Sequence, residues 1–243
     1  MTERKEVTLL KRLTAWILVL SLLCMPVRAA ENEKLVALTF DDGPSGRFTR
    51  RLLEGLAQRD ARATFLLCGY RMEQYPELTE RIFREGHEIG LHGYSHKSMQ
   101  HMRSGEVTAE LEKTAALLPD GCSAAFLRAP GGMCSKAVRA AAENMGLCVL
   151  FWSVDPRDWA TDDAAQIRRD VIRQARDGDV ILLHDMSDSS VDAALAIVDA
   201  LQAKGFRFVT VSELAAARNA ALIPGVQYAR FQPTETENDP NLK

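Results

Sequence analysis

Two adjacent carboxylates and two nearby histidines are the residues of this sequence best suited to chemistry. Asp41 and Asp42 stand where an apolar run, residues 35–40, ends at a Gly-Pro pair, and His92 and His96 follow another apolar run. One carboxylate and two imidazoles are a common ligand set for a catalytic zinc-type ion, which keeps one position open. The second carboxylate could then act as a base. An isolated Asp-Asp pair is more often part of a turn. Whether this pair is functional therefore depends on the secondary-structure elements around it.

Short apolar runs of strand length alternate with segments of helical period along most of the chain. The predicted strands are residues 35–40, 63–67, 87–91, 124–129, 147–154, 179–184 and 206–211. Such alternation is typical of a parallel α/β sheet. Since no strand has the pattern of a polar edge, we expect a (β/α) barrel of about seven parallel strands.

The carboxyl ends of these strands carry the ionisable residues. In α/β folds the loops after the strands gather at one mouth, which is where chemistry concentrates. Each residue alone has an ordinary explanation, such as a surface ion pair or a core imidazole, but their joint placement favours a functional site. The residues are Asp41 and Asp42 after the first strand, His92 and His96 after the third, Arg128 in the fourth, Asp155 and Asp158 after the fifth, and His184 in the sixth.

Five segments in this order resemble the motifs of the polysaccharide deacetylase family, also called the NodB-homology domain or carbohydrate esterase family 4. They are TFDDGP (39–44), HGYSH (92–96), RAPGG (128–132), DPRDW (155–159) and LLH (182–184). The resemblance covers residues 33–216, within an expected domain of residues 31–218. It implies a distorted (β/α) barrel of seven or eight strands, which agrees with the alternation.

The resemblance also implies a metal centre. Asp42, His92 and His96 would bind one divalent ion, Asp41 would be the catalytic base, and His184 the general acid for the departing amine. We expect zinc, with cobalt, nickel or manganese as alternatives. In such hydrolysis a carboxylate usually takes a proton from a metal-bound water of lowered pKa, and an imidazolium gives a proton to the leaving group.

Two further residues would support this pair. Arg128 would bind Asp41 and hold it ionised through its opposite charge. Asp158 is expected to orient His184 and keep it protonated, because a neighbouring carboxylate raises the pKa of an imidazole. Asp155 is the alternative for that role.

The substrate groove is expected to involve Gly131, Trp159 and Leu182. By resemblance the N–H of Gly131 would stabilise an oxyanion, and Trp159 would form an apolar wall, unless it is simply part of the core. Two departures from the family pattern stand out. The third motif often has an aromatic residue where this chain has Gly131, and the second usually has Ser or Thr where this chain has Gly93, which would weaken the support of the metal site.

These features predict a metal-dependent hydrolase that removes N-acetyl groups from an amino-sugar polymer, either cell-wall peptidoglycan or a chitin-like chain. O-deacetylation of xylan or a related polysaccharide is one alternative. A non-catalytic glycan-binding protein is another.

The N-terminal segment of the chain predicts export. Basic residues precede an apolar run, residues 13–25, and the small residues Ala29 and Ala30 suit a signal-peptidase cut. We therefore expect residues 1–30 to be a signal peptide that meets the membrane only transiently, and the protein to be secreted or associated with the cell wall. A retained anchor is the alternative, although the run is shorter than the roughly 20 residues that span a bilayer.

Charge and cysteines limit the partners and the covalent structure. Residues 1–29 carry a net charge of +3, so the whole-chain value of −3 leaves −6 for the rest. This acidic balance argues against nucleic acid as a partner.

Cys68 and Cys148 are expected to be buried hydrophobes, and Cys122 with Cys134 is the pair to test for a disulfide. The polar residues 219–243 are expected to be a disordered tail. Oligomeric state is left open.

Overall fold

The structure is a computed structural model in which residues 33–232 are described, and a parallel sheet forms its centre. The strands are β1 Lys34–Asp41, β2 Ala63–Leu67, β3 Glu88–Leu91, β4 Phe126–Leu127, β5 Cys148–Leu150, β6 Val180–His184, β7 Phe206–Phe208 and β8 Gln227–Tyr228. They pair in the order β6-β1-β2-β3-β4-β5-β8, and β7 pairs with the beginning of β1. All seven predicted strands are present, with β4, β5 and β7 shorter than expected, and β8 is additional.

The sheet closes on itself through a short bridge beyond β5. Val154 pairs in parallel with Ile181 of β6, and the N–H of Leu182 donates to the carbonyl of Val154 at 3.0 Å. β5 ends early because the chain leaves the sheet after Phe151 and rejoins it at Ser153, whose N–H donates to the carbonyl of Val180 at 2.9 Å. This interrupted closure is the distortion of the predicted (β/α) barrel.

Helices pack against the sheet and bury its apolar residues. β1 lies at the centre, and every one of its residues after Lys34 is buried. The helix Ala164–Gln174 is fixed at its start by Asp163, whose side chain accepts from the N–H of Gln166, a usual N-cap arrangement. The α-helices of the described residues are α1 Arg47–Ala57, α2 Gly69–Gln74, α3 Pro76–Arg84, α4 Ser104–Ala115, α5 Lys136–Asn144, α6 Ala164–Gln174, α7 Asp188–Gln202 and α8 Val211–Ala217.

The prediction of a disordered tail from residue 219 does not hold for residues 219–232. Val149 of β5 pairs with Gln227 of β8, and Phe231 is 2% exposed. The rings of Tyr228 and Phe231 stack at 5.6 Å, and the N–H of Phe231 donates to the carbonyl of Gly178 at 2.8 Å. Two aromatic side chains anchor this segment, but its strand of two residues is too short to produce a periodic pattern in the sequence. The remainder of the predicted tail and the predicted signal peptide lie outside the described residues.

The cysteines of the described part of the chain are all free thiols. Cys68 and Cys148 are buried, as expected, whereas Cys122 and Cys134 are partly exposed and not bonded to each other. Within residues 33–232, no helix combines the length and apolar character needed to cross a membrane.

Candidate active site

A hollow of about 490 Å³ opens at the carboxyl ends of the strands. Of the ten predicted site residues, Arg128 and Asp158 are buried behind its wall, each at most 3% exposed. The hollow is lined by Asp41, Asp42, His92, His96, Gly131, Gly132, Trp152, Asp155, Trp159, Leu182 and His184. The structure therefore brings all ten predicted residues to one place, from segments far apart in the sequence.

The three predicted metal ligands form a tight cluster. Oδ1 of Asp42 lies 3.1 Å from Nε2 of His92 and 2.9 Å from Nε2 of His96. Their ligand atoms all lie within 4.8 Å of one another. Oδ1 of Asp42 is buried, and among the described residues it has no partner with hydrogen-bond geometry. A buried carboxylate oxygen that faces two imidazole nitrogens in this way fits a cation such as zinc between them.

The backbone conformation and a hydrogen bond orient these ligands. Asp42 and His96 both have left-handed backbones, with φ of 74° and 56°, a conformation that is uncommon outside glycine and clusters at functional sites. Nδ1 of His92 lies 2.8 Å from the carbonyl oxygen of Arg128. Since a carbonyl only accepts, this contact places the proton on Nδ1 and leaves Nε2 free as a ligand atom.

The charges of the cluster also suit a cation. Burial on its own raises the pKa of Asp42, but contact with His92 and His96 and their positive charge outweigh it and hold that pKa well below its ordinary value. Contact with Asp42 likewise raises the pKa of His96, against the effect of burial. The carboxylate is therefore ionised at neutral pH, as ligation requires.

Asp41 sits beside the cluster in a buried ion pair. Its Oδ1 accepts a hydrogen bond of 2.6 Å from Arg128, and its Oδ2 lies 3.9 Å from Nε2 of His92. The guanidinium also donates to the carbonyls of Leu150 and Phe151. These bonds satisfy a buried cation that would otherwise be costly, and they hold Asp41 in one orientation at the edge of the hollow.

On the other side of the hollow, His184 is held by Asp158 and not by Asp155. Nδ1 of His184 lies 2.8 Å from Oδ1 of Asp158. Burial alone lowers the pKa of His184, but the hydrogen bond and charge of Asp158, with the charges of Asp41 and Asp42, raise it to about 9. Asp155 lines the hollow and accepts from the N–H of Arg157 at 2.8 Å. The structure thus assigns the contact with His184 to Asp158 and not to Asp155, the two residues that the sequence left as alternatives.

The walls of the hollow differ in character. Trp159 is 62% exposed, which rules out a core-packing role, and Leu182 is buried at the base. Gly131 has φ of +70°, and nothing lies within 4 Å of the position that a Cβ would take. The wall is therefore open at this point, as expected from the missing aromatic residue.

Trp152 is a wall residue that the sequence analysis missed. It lines the hollow, its ring packs where a Cβ on Gly132 would lie, and the guanidinium of Arg128 is 5.5 Å from its ring centroid. The available signal was its position at the end of the fifth predicted strand, three residues before Asp155, but a tryptophan in an apolar run is usually assigned to the core.

Comparisons with known proteins agree with this geometry. The model of the family described as polysaccharide deacetylase matches residues 28–150. A peptidoglycan-N-acetylglucosamine deacetylase of Bacillus cereus is 38% identical over 189 residues, which cover 75% of this chain and 89% of that protein.

Two solved structures are similar as well. The peptidoglycan deacetylase PdaC of Bacillus subtilis has a TM-score of 0.74 and 34% identity, over 79% of this chain and 94% of that one; its complete sequence is named a peptidoglycan-N-acetylmuramic acid deacetylase, and the match covers 39% of it. A family 4 acetyl xylan esterase from Clostridium thermocellum, in complex with cobalt, has a TM-score of 0.75 and 31% identity, over 81% of this chain and 98% of that one.

Proposed function

This chain belongs to the polysaccharide deacetylase family, and we propose that it hydrolyses the N-acetyl groups of an amino-sugar polymer, with cell-wall peptidoglycan as the substrate. The observation that carries the proposal is the placement of a carboxylate paired with Arg128, Asp41, and a protonated imidazole, His184, around one three-ligand cluster. Peptidoglycan is favoured over a chitin-like polymer because the relatives at 38% and 36% identity are named peptidoglycan deacetylases.

Water attacks the acetamide carbonyl in this reaction, and the carbon–nitrogen bond breaks to give acetate and a free amine on the sugar. Asp41 takes the proton of the attacking water, and Arg128 holds the carboxylate in place for that transfer. Asp42, His92 and His96 would hold a divalent cation, which would supply Lewis acidity when bound. The N–H of Gly131 is our candidate donor to the oxyanion, and one such donor contributes on the order of 3 kcal/mol in comparable sites.

His184 gives its proton to the departing amine. An amine is a poor leaving group unless it is protonated, so the acid must be charged at the working pH. Asp158 meets this need by raising the pKa of His184 to about 9, against the effect of burial. Nδ1 is bound by Asp158, which leaves Nε2 as the nitrogen that donates.

Zinc is our proposed metal, because two neutral imidazoles and one carboxylate suit it and leave a coordination position open. Cobalt is a workable substitute, and a related esterase was solved with that ion. We further propose that the protein is exported by its N-terminal segment and acts on the cell wall from outside.

Hydrolysis of O-acetyl esters is the second candidate, favoured by the similarity to an acetyl xylan esterase. An alkoxide leaves more easily than an amide nitrogen, so an ester substrate would depend less on His184. Acetate release should therefore be compared on N-acetylated glycan strands and on acetylated xylan, for the parent protein and for His184→Ala.

The decisive experiment is mass spectrometry of peptidoglycan and chitin fragments incubated with the zinc-loaded protein. The proposal predicts the loss of one acetyl group per reacted sugar, abolished by a chelator and restored by zinc or cobalt. Asp41→Asn should bind the metal and release no acetate. If that variant releases acetate at the parent rate, the proposed base is wrong; if the parent binds glycan but never releases acetate, the protein is a glycan-binding module.

A further inference from the structure

The segment that carries two of the metal ligands, residues 92–96 and hereafter the ligand loop, is held from two sides. On one side, the carbonyl of Gly93 accepts a 3.0 Å hydrogen bond from the N–H of Gly69, and the carbonyl of Tyr94 accepts one of 3.0 Å from Tyr70. Gly69 and Tyr70 are the first residues of α2, whose free N–H groups are natural donors. The N–H groups of the ligand loop must find partners elsewhere.

Glu110 of α4 supplies those partners. Its Oε2 accepts hydrogen bonds from the N–H groups of Tyr94, at 2.9 Å, and Ser95, at 2.8 Å. The hydroxyl of Ser95 lies 3.0 Å from both carboxylate oxygens. A single side chain therefore satisfies three donors of the ligand loop, with charge-assisted bonds that are stronger than neutral ones.

His96 is the ligand that depends most on this support. Its backbone is left-handed, with φ of 56°, a conformation that persists only where the surroundings enforce it. Its side chain is 42% exposed, and its ring contacts Asp42 and His92, which belong to the cluster itself. By contrast, His92 is buried and has its own bond to the carbonyl of Arg128. The position of Nε2 of His96 is therefore set by the backbone of the ligand loop.

Gly93 explains why the support comes from α4. Relatives are expected to place a hydroxyl here, but in this chain φ is +75°, and a Cβ would lie 2.6 Å from Cε of Met99 and 3.6 Å from Oε2 of Glu110. Met99 is fully buried, so a side chain on residue 93 does not fit without rearrangement. The carboxylate of Glu110 occupies the neighbourhood of the missing hydroxyl.

We infer that Glu110 is a positioning residue of the metal centre: it fixes His96 for ligation through the backbone N–H groups of Tyr94 and Ser95. The inference rests on the proposed function only through its metal ligands. Since outer partners of metal ligands change metal affinity by about 10- to 100-fold, Glu110→Ala should weaken cation binding by a factor in that range.

The test measures binding of cobalt alone, by its visible absorption and by competition with a chelating dye, with no glycan present. Glu112→Ala is the matched control, because Glu112 lies on the same helix and is exposed; it should bind cobalt as the parent does. Glu110→Gln keeps an amide oxygen for the two N–H groups and should recover most of the affinity. If Gln proves as poor as Ala, charge and not position is responsible, and the inference is overturned.

A double-mutant cycle tests whether Glu110 acts through His96. In a His96→Ala background, Glu110→Ala should cause little further loss of cobalt affinity, whereas an undiminished loss would refute the coupling. Circular dichroism of the metal-free variants checks that they fold. Should Glu110→Ala fail to fold, Glu110→Asp, which withdraws the carboxylate by one methylene, should show the same weakening, and parent-like affinity would overturn the inference. A parent protein that binds no divalent ion would instead refute the proposed function.

Discussion

Asp158 holds His184 with both of its carboxylate oxygens. Oδ1 lies 2.8 Å from Nδ1 of the ring, and Oδ2 accepts the backbone N–H of the same histidine at 2.8 Å. The side chains are 0% and 14% exposed, so water and salt screen the pair little. Asp158 therefore fixes the position of the proposed acid and contributes most to keeping it protonated, so both effects can be tested together.

Asp158→Asn should move the alkaline limb of the pH–kcat profile to lower pH. Burial lowers the pKa of His184, and it is mainly Asp158 that raises it to about 9, so an uncharged amide should reduce it by about 1–3 units. The measurement is acetate release from a glycan at saturating metal, from neutral to alkaline pH. Asp155→Asn is the control, since Asp155 binds the N–H of Arg157 instead. An unchanged alkaline limb in Asp158→Asn would contradict the assignment.

Arg128→Ala should destabilise the fold more than Asp41→Asn does. Arg128 and Asp41 have side chains that are 1% and 5% exposed, and removing the cation leaves a buried carboxylate unpaired, which costs about 3–5 kcal/mol. With Asn at residue 41, the guanidinium keeps its bonds to Thr39, Leu150 and Phe151, so we expect a smaller loss. Urea unfolding of the metal-free proteins measures both. Equal losses would contradict this prediction and show that Arg128 depends on its ion pair with Asp41 and not on its other hydrogen bonds.

The barrel and its site could be predicted because both depend on local patterns. Strands such as β1 and β6 are buried on both faces, and continuous apolar runs mark them in the sequence. The location of the ionisable residues could then be predicted, because the carboxyl ends of parallel strands meet at one mouth of the barrel. The closure at Val154 could not be predicted, because it depends on a chain that leaves the sheet and returns.

Other parts of the site depend on contacts between distant residues. Glu110 is one of several acidic residues on α4, and only its distance to Tyr94 and Ser95 distinguishes it from Glu112. Trp152 is equally inconspicuous in an apolar run. The choice of Asp158 over Asp155 required the actual path of the loop, since both stand after the same strand.

Phe231→Ala should reduce stability although it lies near the end of the described chain. The ring is 2% exposed and stacks on Tyr228, and truncation of a buried phenylalanine costs about 3–5 kcal/mol. Ile223→Ala, at a residue that is 55% exposed, serves as the control and should change little. Thermal and urea unfolding would measure the difference. Parent-like stability of Phe231→Ala would mean that residues 219–232 do not pack as described.

Asp185 is a buried acid next to the proposed metal ligands. It is fully buried and accepts a hydrogen bond from the hydroxyl of Thr49, whereas its Oδ1 has no partner among the described residues. A Cβ on Gly43 would lie 2.6 Å from that oxygen, so the glycine makes room for the carboxyl group. Burial, the largest effect, raises the pKa of Asp185 to about 7.

Asp185→Asn should therefore stabilise the metal-free protein at mildly alkaline pH. Between the ordinary value of 3.8 and about 7 the folded protein binds more protons at this residue than the unfolded chain, so the free energy of unfolding of the parent falls as pH rises through that window and stays low above it. The uncharged amide can still accept from Thr49 and has no such dependence; the gain has an upper limit on the order of 4 kcal/mol. Urea unfolding at mildly acidic and mildly alkaline pH measures it, with the exposed Asp162→Asn as the control. Two results together would contradict this prediction: a parent free energy of unfolding that does not fall across this window, and a lower free energy of unfolding for Asp185→Asn at alkaline pH. They would show that the ionised carboxylate stabilises the loop at Gly43.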